Sequence, residues 1–454
     1  MDARDAATDS RRQLLLDLLR GALDSVDGRL CVKQALAARR FDKPVHAFAI
    51  GKAACAMAEG ASDALGAQLQ SIFIATKEGH VSARIRRAAT LHSAAQSCAS
   101  DRPIERPAHS QKSGSTTVFE RTRAPDLSDW LTSAQALEIF ESGHPVPDER
   151  SLAAGEQLIR RVTGLPEHLY PLFLISGGSS SIVEALIPGV SLSDLVKLNT
   201  HGLAHGLDIE ALNERRRTIS RIKGGRLAGM LQGRAATALF ISDVPTDDPA
   251  IIGSGLLGPA PEAPDCVERS VIASIDNAVT AVSEAASRLG LRVRTDHTRF
   301  ASEADRLAVR FAHELRIQTE QLAVWGGESV MNLPESPGSG GRNQHLALAA
   351  ARLIAGHDDL LLLAIGTDGT DGPTDDAGAL VDGDTCARLV LGEMDIDDCL
   401  RRADSGTALA MTGDLLHTGP TGTNVGDLVI GLKLPRAVGD SLSRSRGGDL
   451  SRVL

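Results

Sequence analysis

Aromatic residues make up only 3% of this 454-residue chain. The core must therefore be built from Ala, Leu, Ile and Val, which suits helices packed on a parallel sheet better than an aromatic-rich all-β fold. The six cysteines (Cys31, Cys55, Cys98, Cys266, Cys386, Cys399) include no C-x-x-C pair. That spacing excludes a zinc ribbon and a thioredoxin-like site and fits free thiols in a reducing cytoplasm. No apolar run is long enough to span a membrane. The N-terminal MDARDAATDSRRQLLL lacks the apolar core of a secretory signal. Lys and Arg number 48 against 58 Asp and Glu, a net charge of −10, and no basic stripe compensates it. A nucleic-acid surface is thereby disfavoured. The sequence also has no G-x-x-x-x-G-K-[ST], H-R-D or D-F-G, so neither a Walker A loop nor a protein-kinase catalytic core is present.

What is present is an alternation of short apolar runs with helical patterns, over a length that favours two or three domains. Strands are expected at 45–50, 71–76, 172–176 and 238–242, with helices at 51–65, 149–162, 193–204 and 209–231 and one beginning at 181–186. This order predicts a parallel, doubly wound sheet. The Pro-rich LGPAPEAP at 257–264 marks a boundary, which divides the chain into 1–260 and 261–454. Beyond it, helices are expected at 272–289, 302–319, 346–354 and 396–411. Strands are expected at 322–325, 360–365 and 427–434. Residues 82–130 carry no sustained period and many Ser, Arg, His and Pro, and read as a poorly ordered insertion.

Two turns have the chemistry of anion sites. Ile175-Ser176-Gly177-Gly178-Ser179-Ser180-Ser181 follows an apolar run and precedes a helical pattern. Glycines allow close backbone approach, Ser hydroxyls add donors, and a helix start offers unpaired N–H groups. Ile50-Gly51-Lys52 repeats the arrangement, and Lys52 just inside a helix opposes the helix dipole, as a residue meant for a phosphate would. Gly253-Ser254-Gly255-Leu256-Leu257-Gly258 spells G-x-G-x-x-G, but Pro259 and Pro261 follow at once, so it does not open the helix that a dinucleotide fold needs.

Charged groups cluster at other run ends. Asp243, Asp247 and Asp248 follow one strand, and Asp368, Asp371, Asp375 and Asp376 follow another. Carboxylates there suit Mg²⁺ or the orientation of a hydroxyl, although Asp-rich turns also form for local reasons. Arg342 in Gly340-Gly341-Arg342-Asn343-Gln344 opens a helical pattern and suits bidentate binding of carboxylate or phosphate. Gly326-Gly327-Glu328-Ser329 reads as a hairpin connection. His144 lies in a Pro-stiffened loop before the helix-capping Asp148. Lys223 stands among Arg221 and Arg226 beside a double glycine.

Taken together, IGKAA, ESGHPVPDE, LISGGSSS, SRIKGGRLA, FISDVPTDDP, WGGES, GGRNQ, GTDGTDGPTDDAGA and TGPTGTNVGDL occur in the order found in class II glycerate kinases, and the chain resembles that family from about residue 45 to 432. The family also carries an older hydroxypyruvate reductase label. The resemblance implies a Rossmann-like α/β/α N-terminal domain and a smaller leucine-rich α/β C-terminal domain with the site between them. It implies ATP, Mg²⁺ and phosphorylation of (R)-glycerate, in many members at the 2-hydroxyl. The family's catalytic pair falls on Lys52 and Arg342. Ser176, Gly177, Gly178, Ser179, Ser180, His144 and Lys223 are then expected to bind substrate or phosphate. Asp243, Asp248, Asp368 and Asp371 are expected to hold metal or orient the hydroxyl. The sequence departs from the family pattern at SGGSSSIVE, His345 and Gly426. A homodimer is compatible with this reading. The competing ones are a hydroxypyruvate reductase, which lacks its dinucleotide motif, and a non-catalytic sugar-acid binding protein, which has no reason to keep Lys52 and Arg342.

Overall fold

The computed structural model describes residues 9–97, 116–117, 136–204, 209–260 and 264–435. In chain order the first strands are β1 (Val45–Ile50), β2 (Leu69–Lys77), β3 (Thr116–Thr117), β4 (Ala136–Ser142), β5 (Tyr170–Ile175), β6 (Ala236–Ile241) and β7 (Val267–Ala273). They are followed by β8 (Val293–Glu303), β9 (Leu322–Val330), β10 (Leu360–Gly366), β11 (Gly378–Asp382), β12 (Leu415–His417) and β13 (Asp427–Lys433). One six-stranded sheet runs β4-β2-β1-β5-β6-β7, with every pair parallel. The expected doubly wound α/β sheet is therefore present. Its central strand VHAFAI is buried along its whole length, as a strand covered on both faces must be. Few as the aromatics are, Phe48 stacks on Phe173 at 4.8 Å and Phe73 approaches Phe140 at 5.3 Å, forming a row across one face.

The order of strands decides where a ligand can sit. From β1 the chain winds outward through β2 to β4, then returns to the other side of β1 for β5 to β7. The direction reverses between β1 and β5, and the crevice past the carboxyl ends of those two strands is the natural binding place in such a sheet.

The second sheet, β3-β12-β11-β10-β13-β9-β8, is mixed. Its centre is antiparallel, with β10 between β11 and β13, while β8 runs parallel to β9. The leucine-rich β10, LLLLAIG, is buried throughout. A continuous apolar core joins the sheets, bringing Leu172 and Leu239 of the first together with Leu361 and Leu428 of the second. The N-terminal helix Ser10–Ser25 reinforces the join. It packs on helix Ile275–Arg288, and its Arg12 pairs with Asp382 at 2.8 Å and Asp414 at 3.0 Å.

Several expectations are corrected. The first sheet does not end at residue 260, because β7 at Val267–Ala273 pairs with β6. The helix expected at 272–289 therefore begins only at Ile275, behind a Ser274 capping box. The helix expected from 181 is a single turn, Ser179–Ile182. The long helix at 209–231 breaks after Thr218, where Gly224 and Gly225 take positive φ. The run at 396–411 is two helices, Ile396–Arg401 and Ser405–Thr412. Trp325-Gly326-Gly327-Glu328-Ser329 lies inside β9 rather than in a hairpin. The stretch 82–130 is not structureless at its start. Ala83–Ser97 is a helix, its Ile85 and Ala88 are fully buried, and Arg84 reaches Glu59 and Asp63. Thr116–Thr117 adds to β12, and the rest of that stretch lies outside the described residues.

Candidate active site

Five parallel strands of the first sheet deliver their following residues to one place. His144 follows β4, Lys77 ends β2, Lys52 follows β1, Ser176–Ser180 follow β5, and Asp243 follows β6. Lys52 lies in the turn before helix Ala54–Leu65 rather than inside it. The turns after β1 and β5 interlock across the point where the strand order reverses. Lys52 N–H donates to the Gly177 carbonyl at 3.0 Å, and Ala53 N–H donates to Ser176 Oγ at 3.0 Å. Gly51 takes φ +123° against Ser176, where a Cβ would lie 2.2 Å from Ser176 Oγ.

The second sheet closes the other wall. Lys52 Nζ reaches Asp368 Oδ2, just past β10, at 2.7 Å. Asn424 Nδ2, in the loop before β13, donates to Asp243 Oδ2 at 3.3 Å. Between them the walls leave no room for a side chain at Gly177, whose Cβ would stand 2.0 Å from both Asn424 Nδ2 and Asp243 Oδ2. Lys77 Nζ donates to Thr370 Oγ1 at 3.1 Å.

Arg342 opens helix Arg342–Ile354, as expected. Its guanidinium donates to Glu328 Oε1 at 3.0 Å and to the Ser329 carbonyl at 2.7 Å, and it lies 3.6 Å from Asp427 Oδ1. Both cations of the expected pair thus already have carboxylate partners in the closed cleft. Asp427 is buried and also accepts from Ser329 and Asn343.

Titration follows from this packing. Burial works against the Lys52 ammonium, but Asp368 outweighs it and holds the lysine charged above its ordinary range. Asp368 responds in kind: burial opposes its ionisation, yet Lys52 keeps it well below the usual carboxylate range. Burial, then Glu328, pushes Asp243 up to about 6. Burial, then the charges of Lys52 and Lys77, holds His144 neutral, well below an ordinary histidine. His144 therefore offers the cleft a neutral imidazole and no cation.

Not every expected residue faces the cleft. Lys223 is buried in an ion pair with Glu184 and donates to the Ser180 carbonyl at 2.7 Å. It props the serine loop from behind. Asp371 accepts from the N–H groups of Asn343 at 3.1 Å and Gln344 at 2.8 Å, and so caps the helix that carries Arg342. Asp248 is exposed and accepts from Ala250 N–H. Its neighbour Asp247 is the one that crosses to the second sheet, to Arg299 at 2.9 Å. Ser176 is engaged with Ala53, and Ser180 Oγ lies 2.7 Å from Ser254 Oγ. The serine loop's free donors are the buried, unpartnered Ser179 hydroxyl and the backbone. Among the described residues the N–H groups of Gly177, Gly178, Ser179 and Ser180 meet no acceptor. Lys77, Thr370, Asn424 and Asp427 also belong to the site; the last three lie within the quoted motifs GTDGTDGPTDDAGA and TGPTGTNVGDL, which gave them no role of their own. The Gly253–Gly258 spelling forms turns, with Gly253 and Gly255 at positive φ, and opens no helix.

The family model described as a domain of unknown function, DUF4147, matches residues 14–288, and the MOFRL family model matches residues 321–427. The D-glycerate 2-kinase of Thermotoga maritima is 31% identical over 93% of this chain and 99% of its own. The chain belongs to the glycerate kinase family. The glycerate 2-kinase of Pyrococcus horikoshii is 32% identical over 65% of this chain and 78% of its own. The crystal structure of glycerate kinase from Thermotoga maritima superposes with a TM-score of 0.72 at 30% identity, over 94% of this chain and all of that one. The two family models between them span residues of both walls of the cleft, so the family likeness is not confined to one sheet. No helix among the described residues is long and apolar enough to cross a membrane.

Proposed function

We propose that this chain is an ATP-dependent kinase that phosphorylates (R)-glycerate, giving 2-phosphoglycerate, in the cleft between its two sheets. The observation that carries the reading is the meeting of Lys52 and Asp368 at 2.7 Å, beside a loop whose backbone N–H groups are unpaired, in a chain aligned along nearly the whole of a D-glycerate 2-kinase.

Phosphoryl transfer requires positioning and charge stabilisation more than covalent chemistry. Lys52 is charged at every physiological pH and sits where the transferred group would pass, so its ammonium neutralises charge developing on the phosphoryl oxygens. The N–H groups of Gly177–Ser180 receive non-bridging oxygens. Arg342 approaches from the second sheet, held by Glu328 and Asp427 in a direction that leaves part of its fork for an anion. Asp368 orients the Lys52 ammonium. Its carboxylate is also the base within reach of an acceptor hydroxyl that displaces Lys52 from it.

Mg²⁺ fits the opposite side. Asp243 is a carboxyl whose ionisation is opposed by burial and by Glu328, a condition that a dication relieves. Among the described residues no three His, Cys, Asp or Glu side chains converge on a metal position. Asp243 with Glu328 would therefore hold the ion together with phosphate oxygens, the usual sparse ligation of Mg²⁺. When bound, it would shield the phosphate charges. Free thiols at Cys31, Cys55, Cys266, Cys386 and Cys399 support a reducing cytoplasmic setting.

Incubation with ATP, Mg²⁺ and D-glycerate followed by phosphorus NMR tests the reading. A 2-phosphoglycerate resonance is expected. A 3-phosphoglycerate resonance would correct the regiochemistry. Oxidation of NADH or NADPH by hydroxypyruvate, without ATP consumption, would replace the kinase with a reductase.

A further inference from the structure

Lys52 is not the only lysine at this end of the first sheet. Lys77 is the last residue of β2, the strand beside β1. Its Nζ donates to Thr370 Oγ1 at 3.1 Å. Thr370 in turn donates to Asp368 Oδ2 at 3.2 Å, the same oxygen that Lys52 holds at 2.7 Å. One carboxylate therefore serves two ammonium groups, directly for Lys52 and through a hydroxyl for Lys77. The imidazoles of His80 and His144 complete this end, and both are held neutral by burial and by the nearby lysines. Asp375 is the other acid whose charge bears on Lys77. The opposite end of the cleft is acidic, with Asp243 and Glu328 pressing on one another. The cleft is thus polarised, and at its cationic end Lys52 has a direct carboxylate partner, whereas Lys77 donates only to a hydroxyl.

We propose, building on the glycerate kinase reading, that Lys77 is a substrate-binding residue whose ammonium takes the carboxylate of the 2-hydroxy acid acceptor, leaving Lys52 to face the phosphoryl group. An acid carboxylate is a compact anion. A point-charge ammonium already donating to one neutral hydroxyl can exchange that weak partner for it without breaking an ion pair. Lys52 cannot make the same exchange without giving up Asp368. The carboxylate gives Lys77 a direct ion pair in place of a hydroxyl, and its 2-hydroxyl then points from Lys77 toward Lys52 and the unpaired N–H groups of the serine loop. The acceptor class follows from this arrangement: short hydroxy acids bind and the corresponding uncharged polyols do not.

Calorimetry and steady-state kinetics on the full-length protein test this. D-glycerate and glycerol are titrated without ATP into wild type, Lys77→Gln and Lys77→Arg, and KM is measured separately for D-glycerate and ATP. Losing one charge-assisted hydrogen bond corresponds to roughly 10–100-fold in affinity. The Gln variant should show that loss for D-glycerate, with the ATP KM within about twofold of wild type and most of the glycerate-over-glycerol preference gone. The Arg variant should recover much of it. If the Gln variant does not fold, Lys77→Met, which keeps the aliphatic stem, takes its place. An unchanged D-glycerate affinity overturns the assignment, and so does a rise in the ATP KM alone, which would move Lys77 to the nucleotide. Wild type that binds D-glycerate but never phosphorylates it would defeat the kinase reading, while the calorimetric comparison would still decide Lys77.

Discussion

Lys52 at the end of β1 and Asp368 at the end of β10 form a 2.7 Å ion pair that ties the two sheets together across the cleft. The lysine is 15% exposed and the carboxylate 6%, so the pair is structural as well as chemical. A cation near a helix start is unfavourable by itself, but here its charge is already matched.

Removing Lys52 should therefore cost stability as well as activity. Lys52→Ala strands a buried carboxylate, a change of about 3–5 kcal/mol in fully buried pairs, and this site should fall toward the lower end. Turnover should drop by about 10²-fold or more. Arg342→Ala should lose turnover on the same scale with a smaller fall in melting temperature, because Asp427 keeps its bonds from Ser329 and Asn343. Melting curves and kcat for both variants, and for Lys52→Ala combined with Asp368→Asn, separate the two effects. The double variant should regain stability but not activity.

Asp243 predicts a pH dependence with a definite sign. Its folded carboxyl titrates at about 6, against 3.8 in an ordinary environment. The folded state therefore binds the proton more tightly, and stability is lost as pH rises from about 4 to 6. Asp243→Asn should accordingly melt above wild type at pH 8 and match it near pH 4. Its kcat/KM should be far lower at every pH. The wild-type acid limb should fall near pH 6 at low Mg²⁺ and move to lower pH as Mg²⁺ rises. A limb that ignores Mg²⁺ would take the metal away from Asp243.

Gly177 tests closure without removing any functional group. Gly177→Ala places a Cβ where Asn424 and Asp243 now meet. The two walls should be forced apart, and activity should fall about as much as for Lys52→Ala. The fold should persist by circular dichroism, and small-angle scattering should report a larger radius of gyration.

Lys223 should behave as a buried structural cation. Its pairing with Glu184 is almost fully shielded from solvent, so Lys223→Met alone should destabilise by about 3–5 kcal/mol. The activity of the folded fraction at low temperature should fall much less than in the Lys52 variant. A Lys223→Met enzyme of wild-type stability but sharply higher KM for ATP would return this residue to the phosphate site.

How far the sequence was legible varied with the range of the interaction. The strands 45–50 and 360–365 were readable because both are buried on both faces and therefore continuously apolar. Asp148 was readable as a cap, since it bonds Ser151 three residues on. β7 was hidden because VERSVIA is only partly buried and borders a helical pattern. Arg221, Lys223 and Arg226 appeared as one basic run, yet Lys223 alone turns inward to Glu184, a partner 39 residues away. Asp247 and Asp248 are adjacent and chemically equal, and only the position of Arg299 on β8 distinguishes them.

The sequence by itself determined the α/β class, the family, and the turns after β1 and β5 that carry Lys52 and the serine loop, because those depend on local apolar runs, glycine geometry and ordered motifs. Tertiary structure alone decided which charges meet. Lys52 and Asp368 lie 316 residues apart, and Lys77 and Thr370 lie 293 apart. Coulomb interactions depend on distance in space and on burial, and neither quantity is written along the chain until two sheets close on one another.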